Sequence, residues 1–348
     1  MTINIITTQV DRKKITGPKK VLLNTCKGFD ALNITYVFNA PMEQYDYIWI
    51  QDKQMSIIEA GFLQKPILVG PNTTVLPKDL PILRKKLHKD SVYLTPSDWT
   101  KKMWVNSGFN ECKIISWPVG IDLETISHRK REKSEPNRIL IYFKQRDPQL
   151  LEDVKKIILD EGMHYEVIHY GYYDQNDYMK SLNGAKLCIW IGCSESQGIA
   201  LQEALASGLP IVVLDAKSLF DVEVENKKGY FDYHVPRELE KLEVTSAPYF
   251  DERCGVKITS LSQMKEAIHM ALESIEAFRP REFIEENLSL KQSSLVLVEE
   301  FLNFKQKGTQ KYISYQTFSK YLFYFDLFLH GWFYRWLKYK FLNTLKKG

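Results

Sequence analysis

The chain has 348 residues, which is enough for two domains of ordinary size and a short appendage. Its hydrophobic content of 44% and charged content of 26% are typical of a globular protein and exclude a disordered or fully membrane-embedded chain. Residues 309–348 carry seven Lys or Arg against one Asp, a net charge of +6, so residues 1–308 contribute −2 to the total of +4 and lack the basic surface of a nucleic-acid-binding domain.

The start of the chain gives no signal for export. Its first residues, MTINIITTQV, have no basic leader, long apolar core or cleavage site. The five cysteines show neither a C-x-x-C pair nor a zinc-ligand spacing, which is typical of reduced thiols in a reducing compartment. No uncharged apolar run approaches the ~20 residues of a membrane-spanning helix. We therefore expect a cytoplasmic body.

Short β-branched runs alternate with helical patterns in the first part of the chain. The predicted strands are Ile3–Thr7, Thr35–Phe38, Tyr45–Gln51, Pro66–Gly70, Ser91–Thr95 and Cys112–Ser116. The predicted helices are Pro18–Leu32, Met55–Leu63, Leu80–His88 and Trp99–Ser107. This alternation predicts a parallel sheet covered on both faces, in an N-terminal domain of residues 1–126.

A polar, charged linker at residues 127–137 precedes a second alternation of the same kind. Its predicted strands are Arg138–Phe143, Tyr165–Tyr170, Lys186–Gly192 and Pro210–Leu214. Its predicted helices are Gln149–Asp160, Asn176–Asn183, Ser196–Ser207, Leu261–Ile275 and Arg281–Asn303. We expect a C-terminal domain of residues 138–305, a tail of residues 306–348, and a ligand cleft at the carboxyl ends of the strands.

The segment Lys186–Asp215 combines a buried strand, a loop, a helix and a second buried strand. Ser194 or Ser196 is predicted to cap the helix, whose free N–H groups favour a phosphate. Glu195 and Glu203 would lie about 12 Å apart on the same side of this helix. That spacing suits a ligand with a sugar, a diphosphate and a ribose, although two such residues are also common on surface helices.

Within this segment, the run ESQGIALQEALASGLPIVV resembles the signature of GT-B glycosyltransferases of the family 4 type (glycosyl transferases group 1). That signature is Glu, seven residues, Glu, a small-residue run, Gly-x-Pro and a strand. The resemblance implies an α/β fold of two Rossmann-like domains. It also implies that Glu195 lies at the donor sugar and Glu203 binds the donor ribose. The further candidate donor-binding positions here are Ser196, Gly198 and Ile199.

Two passages of the first domain support the resemblance. Leu94–Phe109 and the following WPVGID at Trp117–Asp122 are similar to the end of the family's first domain. Residues Gly17–Leu32 resemble the family's first glycine loop and helix, which makes Gly17 a candidate donor-binding residue. An ordinary turn is the alternative for Gly17.

Other features depart from the family pattern. Members of the family usually bind the diphosphate with an Arg and a Lys about five residues apart after the first strand of the second domain. At the corresponding place in this chain, Lys144 and Arg146 are only two residues apart. Both could still reach phosphate oxygens, with simple surface charge as the alternative. The loop Ser246–Gly255 either lines the cleft or is a rigid surface loop. No D-x-D motif is present, so we expect neither a metal nor a cofactor besides the donor substrate.

Residues 309–348 combine aromatic side chains at three-four spacing with basic residues. This pattern is typical of an amphipathic helix lying on an anionic membrane surface. Packing of the aromatic side chains on the protein's own surface is the alternative. Membrane contact would place the protein at the inner face of the cell membrane.

Taken with the resemblance, these features predict a hexosyltransferase-type glycosyltransferase. It would move a sugar from a nucleotide-sugar to a glycan or lipid-linked acceptor in surface polysaccharide or glycolipid assembly. The family resemblance implies retention of the anomeric configuration. Two alternatives remain: a sugar-nucleotide epimerase, and a non-catalytic membrane-associated binding protein of the same fold.

Overall fold

The computed structural model describes residues 1–74, 84–128, 137–219, 221, 223–224, 227–228, 239 and 241–304. In these ranges the chain forms two parallel sheets accompanied by helices, which confirms the predicted α/β architecture of two doubly wound domains. Across the same ranges, no helix combines the length and apolar character needed to cross a bilayer. The predicted tail at residues 306–348 and the beginning of the predicted helix Leu80–His88 lie outside the described residues.

Six parallel strands form the first sheet: β1 (Thr2–Ile6), β2 (Thr35–Phe38), β3 (Tyr47–Ile50), β4 (Leu68–Val69), β5 (Val92–Thr95) and β6 (Lys113–Ser116). Their order is β2-β1-β3-β4-β5-β6. Ile3 of β1 pairs with Tyr36 on one side and with Tyr47 on the other. The inner strands are apolar along most of their length because both faces of the sheet are covered.

Three helices accompany this sheet in the described residues: α1 (Gly17–Ala31), α2 (Ser56–Phe62) and α3 (Asp98–Asn106). The Thr16 hydroxyl accepts a hydrogen bond from the Lys19 amide, and Pro18 suits the first turn; together they begin α1 after β1. A capping box between Ser97 and Thr100 begins α3 after β5. Both helix starts therefore lie at the carboxyl edge of the first sheet.

The second sheet contains β7 (Arg138–Phe143), β8 (His164–His169), β9 (Leu187–Ile191) and β10 (Ile211–Leu214). Two short antiparallel strands follow, β11 (Glu223–Val224) and β12 (Lys227–Lys228). The strand β13 (Gly255–Ile258) then returns to the main sheet, whose order is β13-β10-β9-β7-β8. The sequence did not predict β13, because Gly255 and Lys257 interrupt its short apolar pattern.

Six α-helices follow β7 in the described residues: α4 (Pro148–Asp160), α5 (Gln175–Gly184), α6 (Ile199–Ala206), α7 (Met264–Glu273), α8 (Pro280–Asn287) and α9 (Leu290–Leu302). The prediction of a single helix over Arg281–Asn303 is wrong. The Leu288 carbonyl accepts a hydrogen bond of 2.8 Å from the Ile121 amide, which lies outside the helix. The Ser289 hydroxyl then caps α9 by accepting from the Gln292 amide.

The last described helix, α9, packs on the first domain. Leu297 and Phe301 are fully buried in the same apolar cluster as Ile3 and Trp49. The chain therefore returns to the first domain within the range 138–305, which the sequence assigns to the second domain. The core of the first domain is complete only with side chains from both ends of the described chain.

Truncation of Phe301 tests this packing. We expect Phe301→Ala to lower the free energy of unfolding by about 3–5 kcal/mol, because it opens a cavity in a fully buried cluster. The matched control is Leu302→Ala at the next position of the same helix, because Leu302 is 65% exposed. Urea unfolding of both variants should show a large loss only for Phe301→Ala. Equal losses would contradict the assignment of α9 to the core of the first domain.

Candidate active site

Glu195 lies in a loop at the carboxyl end of the second sheet. The loop joins the last residue of β9, Ile191, to the first residue of α6, Ile199. Lys144 directly follows β7, the strand that pairs with β9. Because adjacent parallel strands end at the same edge of a sheet, Lys144 and Glu195 are brought together at the position where such sheets bind ligands.

Helix α6 begins later than predicted. The sequence predicts a start at Ser196 with Ser194 or Ser196 as the cap, but the N-cap residue is Gly198. Its φ of 80° lies in the left-handed region that glycine tolerates, and no side chain caps the first turn. Glu195 therefore precedes the helix, so the helical geometry from which the spacing of about 12 Å was predicted does not apply.

The Glu195 carboxylate forms an ion pair with Lys144. Lys144 Nζ lies 2.7 Å from Glu195 Oε1, and the two side chains are only 14% and 13% exposed. The backbone of Glu195 is also held, because its amide donates to the Thr245 carbonyl at 3.0 Å. Its carbonyl accepts from the indole nitrogen of Trp99 at 2.8 Å. Since Trp99 belongs to the first domain, groups from both domains fix the position of Glu195.

The environment of Lys144 favours its charged form. Burial lowers the pKa of Lys144, but the nearby carboxylate of Glu195 outweighs burial and raises that pKa above its ordinary value. The ammonium group also lies 4.3 Å from the centre of the Tyr170 ring, a distance that allows a cation–π interaction. Lys144 therefore provides a positive charge at neutral pH.

Arg146 lies at the same edge of the sheet as Lys144 and is half-buried. Its Nη1 atom donates to the Gly192 carbonyl at 2.8 Å and makes a longer contact of 3.5 Å with the Leu214 carbonyl. Burial lowers the pKa of Arg146 from its ordinary value. Within the described part of the chain, Nε and Nη2 of Arg146 have no hydrogen-bond acceptor. The guanidinium is thus held through Nη1, and its Nε and Nη2 donors can bind a ligand.

Glu203 of α6 forms an ion pair across the domains. Lys20 Nζ of α1 lies 2.6 and 2.7 Å from the two carboxylate oxygens of Glu203. The Gln175 amide, at the start of α5, donates to Glu203 Oε2 at 3.4 Å. The Glu203 side chain is 9% exposed and that of Lys20 is 21% exposed. Glu203, the second carboxylate of the motif, is therefore also ion-paired with a lysine.

The remaining predicted residues occupy different environments. Gly17 is the exposed first residue of α1, and a Cβ added there would meet no atom within 4 Å, so close packing does not require glycine. Lys20 follows it by one helical turn. Ser196 is exposed in the loop before α6, whereas Ile199 contacts the buried clusters of both domains. Gly198 adjoins Glu195, since its added Cβ would lie 3.6 Å from the Glu195 Cβ.

Further hydrogen bonds join the domains around this loop. The Gln197 side chain accepts from the Val119 amide at 3.0 Å and donates to the Val119 carbonyl at 2.8 Å. The Tyr249 hydroxyl donates to the Pro96 carbonyl of the first domain at 2.8 Å. The loop Ser246–Gly255 therefore contacts the first domain beside the cleft rather than standing apart as a surface loop.

Three side chains of the site were missed by sequence reasoning: Lys20, Gln175 and Trp99. Lys20 and Glu203 are 183 residues apart, and no spacing rule links them. The available signals were a Ser-x-Trp run at the start of α3 and a lysine pair after Gly17. In the ranges that the structure describes, no three His, Cys, Asp or Glu side chains converge as metal ligands.

Residues 128–235 match the family model described as "Glycosyl transferases group 1". The match includes both motif carboxylates and both basic residues that follow β7. The chain therefore contains a glycosyl transferases group 1 domain. No curated protein sequence matches this glycosyltransferase significantly.

Solved structures share the fold of the glycosyltransferase at low identity. The catalytic domain of starch synthase IV from Arabidopsis thaliana, bound to ADP and acarbose, matches with a TM-score of 0.55, 9% identity, and coverage of 86% of this chain and 98% of that one. Sucrose-phosphate synthase from Thermosynechococcus elongatus matches with a TM-score of 0.54 and 10% identity, and the match covers 86% of this chain and 98% of that one. An alpha-glucosyltransferase in complex with UDP and a 13-mer DNA matches with a TM-score of 0.54 and 9% identity, and the match covers 87% of this chain and 100% of that one. These likenesses establish the fold.

Removal of the Lys144 cation should destabilise the glycosyltransferase. We expect Lys144→Met to lower the free energy of unfolding by about 3 kcal/mol, because the Glu195 carboxylate loses its partner in a shielded site. The raised pKa of Lys144 means that this stabilisation is fully present below the ordinary lysine value of 10.5. It is lost as the pH rises through the folded-state value.

Urea unfolding at neutral pH and above pH 10.5 checks this expectation. The difference between wild type and Lys144→Met should stay constant up to the ordinary pKa and shrink above it. The control is Lys180→Met, whose ion pair with Asp177 is exposed and should contribute little. A difference that does not change above that pH would show that the charge of Lys144 is not the stabilising element.

Proposed function

We propose that the nucleotide-sugar donor binds along the carboxyl edge of the second sheet. Its ribose would lie on Glu203, its diphosphate on Lys144 and Arg146, and its sugar beside Glu195. The observation that carries this proposal is the contact of 2.7 Å between Lys144 and Glu195. A cation and a carboxylate side by side match the junction between a diphosphate and a sugar, because phosphate needs a cation and sugar hydroxyls need acceptors.

The chemistry of transfer requires charge stabilisation on the leaving group. When the bond from the anomeric carbon to the diphosphate breaks, negative charge grows on the departing nucleoside diphosphate. Lys144 and the unpaired donors of Arg146 would stabilise that charge. The uncapped first turn of α6, which begins at Gly198 and Ile199 beside Ser196, would add backbone N–H groups and the positive end of the helix dipole. We propose that these groups replace a metal and that no further cofactor takes part.

The donor nucleotide is proposed from chemistry and from the similar structures. The starch synthase structure contains ADP, and the alpha-glucosyltransferase structure contains UDP. We therefore propose a nucleoside-diphosphate sugar, with ADP-sugars and UDP-sugars as the first candidates. Gly17, which begins α1 one turn before Lys20, is proposed to approach the donor from the first domain.

The acceptor is proposed from the composition of residues 309–348. Their aromatic and basic side chains suit a membrane surface, so we propose a lipid-linked or membrane-proximal glycan acceptor. Surface polysaccharide or glycolipid assembly at the inner face of the cell membrane would provide such a substrate. The family resemblance supports transfer with retention of the anomeric configuration.

A panel of nucleotide-sugars tests the donor site. We expect one donor to raise the melting temperature of the wild type by a few degrees at about 100 times its Kd, through mass action on the folded state. Glu203→Gln should lose this shift, because an amide is a poorer acceptor for the ribose hydroxyls. The control is Glu285→Gln on α8, outside the proposed site. If no nucleotide-sugar stabilises the wild type at millimolar concentration, the proposed donor site is wrong.

Substitution of Glu195 separates binding from transfer. We expect Glu195→Gln to keep the Kd for the nucleoside diphosphate but to slow sugar release from the donor about 10- to 100-fold, as expected for a lost hydrogen bond to a charged group. A coupled assay for the released nucleoside diphosphate measures this rate. The control is Glu152→Gln, whose side chain is 61% exposed. Unchanged turnover in Glu195→Gln would remove Glu195 from the catalytic role.

A further inference from the structure

The ion pair between Lys20 and Glu203 saturates the hydrogen-bonding capacity of the lysine. An ammonium group has three donors. Those of Lys20 lie 2.6 and 2.7 Å from the two oxygens of Glu203 and 2.9 Å from Gln175 Oε1. Glu203 Oε2 also accepts from the Gln175 amide. In this arrangement, both carboxylate oxygens and all three ammonium donors already have partners.

The pair is shielded from solvent and lies between the two domains. The two side chains are 21% and 9% exposed, so water and salt screen their attraction only partly. Lys20 belongs to α1 of the first domain, whereas Glu203 and Gln175 belong to the second. A ligand that takes the oxygens of Glu203 must therefore provide new acceptors for Lys20, or leave a shielded cation without a partner.

We propose that Lys20 is a specificity residue that makes the ribose site accept phosphorylated nucleotides and reject bare nucleosides. This inference rests on the proposed role of Glu203 as the ribose acceptor. The two hydroxyls of a ribose compete with the Lys20 ammonium for the same two oxygens. A nucleoside offers no anion in exchange, whereas a nucleoside diphosphate brings phosphate oxygens to which the displaced Lys20 can turn.

The exchange also explains why a lysine suits this position. Its charge is a point on a flexible stem with rotatable donors, so it can leave a carboxylate and reach a phosphate without repositioning the helix. The exchange forms and breaks only ion pairs and hydrogen bonds. Binding of the diphosphate then conserves the number of charge contacts, while binding of a nucleoside loses one.

The test compares nucleosides with their 5′-diphosphates on the full chain. Isothermal titration with uridine, adenosine, guanosine and the three corresponding diphosphates gives the ratio of the nucleoside Kd to the diphosphate Kd. We expect Lys20→Met to bind the matching nucleoside at least about tenfold more tightly without tighter binding of the diphosphate, because removal of the competitor is worth about one ion-pair hydrogen bond. The ratio should fall by about tenfold or more.

Lys27→Met provides the matched control, since Lys27 lies on the same helix and pairs with Asp122 rather than with Glu203. This variant should keep the wild-type ratio. Lys20→Gln retains a hydrogen-bond donor without the charge and serves if Lys20→Met does not fold, as judged by circular dichroism. It should also lower the ratio.

The outcomes separate this inference from the donor-site proposal. A Lys20 variant that folds and keeps the wild-type ratio overturns the specificity role and leaves Lys20 as a structural contact between domains. If Glu203→Gln binds the diphosphate as tightly as the wild type, the proposed ribose site itself is wrong. If Glu203→Gln loses diphosphate binding while the Lys20 variants keep the ratio, only the inference about Lys20 fails.

Discussion

Two shielded carboxylates in one cleft each require a cation, and much of the site geometry follows from this requirement. Glu195 and Glu203 are 13% and 9% exposed, so solvent alone stabilises their charges poorly. Lys144 reaches Glu195 from the neighbouring strand of the same sheet. Lys20 reaches Glu203 from the other domain. The Lys144–Glu195 ion pair depends only on two adjacent parallel strands that end at the same edge of the sheet. The Lys20–Glu203 ion pair depends on how closely the two domains approach.

The loop that holds Glu195 is accordingly shared between the domains. Trp99 of the first domain donates a hydrogen bond to the Glu195 carbonyl. Two residues further along the loop, the Gln197 side chain bonds the backbone amide and carbonyl of Val119. Helix α9 reinforces the association, because it continues directly from the second domain into the core of the first. A shift of one domain against the other would alter the position of Glu195 even without a change in its own sheet.

The sequence predicted those features that depend on short-range patterns. Strand-helix alternation predicted both sheets, and the motif with its flanking residues predicted the candidate roles of Glu195 and Glu203. It did not predict Lys20 as the partner of Glu203, because such a contact arises only when two distant helices pack together. The start of α6 was misplaced because Ser194 and Ser196 are good caps by composition, whereas the backbone turns through a left-handed glycine. The break before α9 depends on contacts with Ile121, which helical periodicity cannot reveal.

The return of α9 to the first domain has a consequence for biosynthesis. A ribosome releases residues in order, so every strand of the first sheet emerges long before Phe301, which fills its core. All strands of the second sheet, in contrast, are released before α9 begins. Part of the apolar surface of the nascent first domain therefore stays uncovered, and a chaperone has a target there, until Phe301 has emerged from the ribosome. This topology favours the C-terminal domain as the first unit to fold, against the usual order of synthesis.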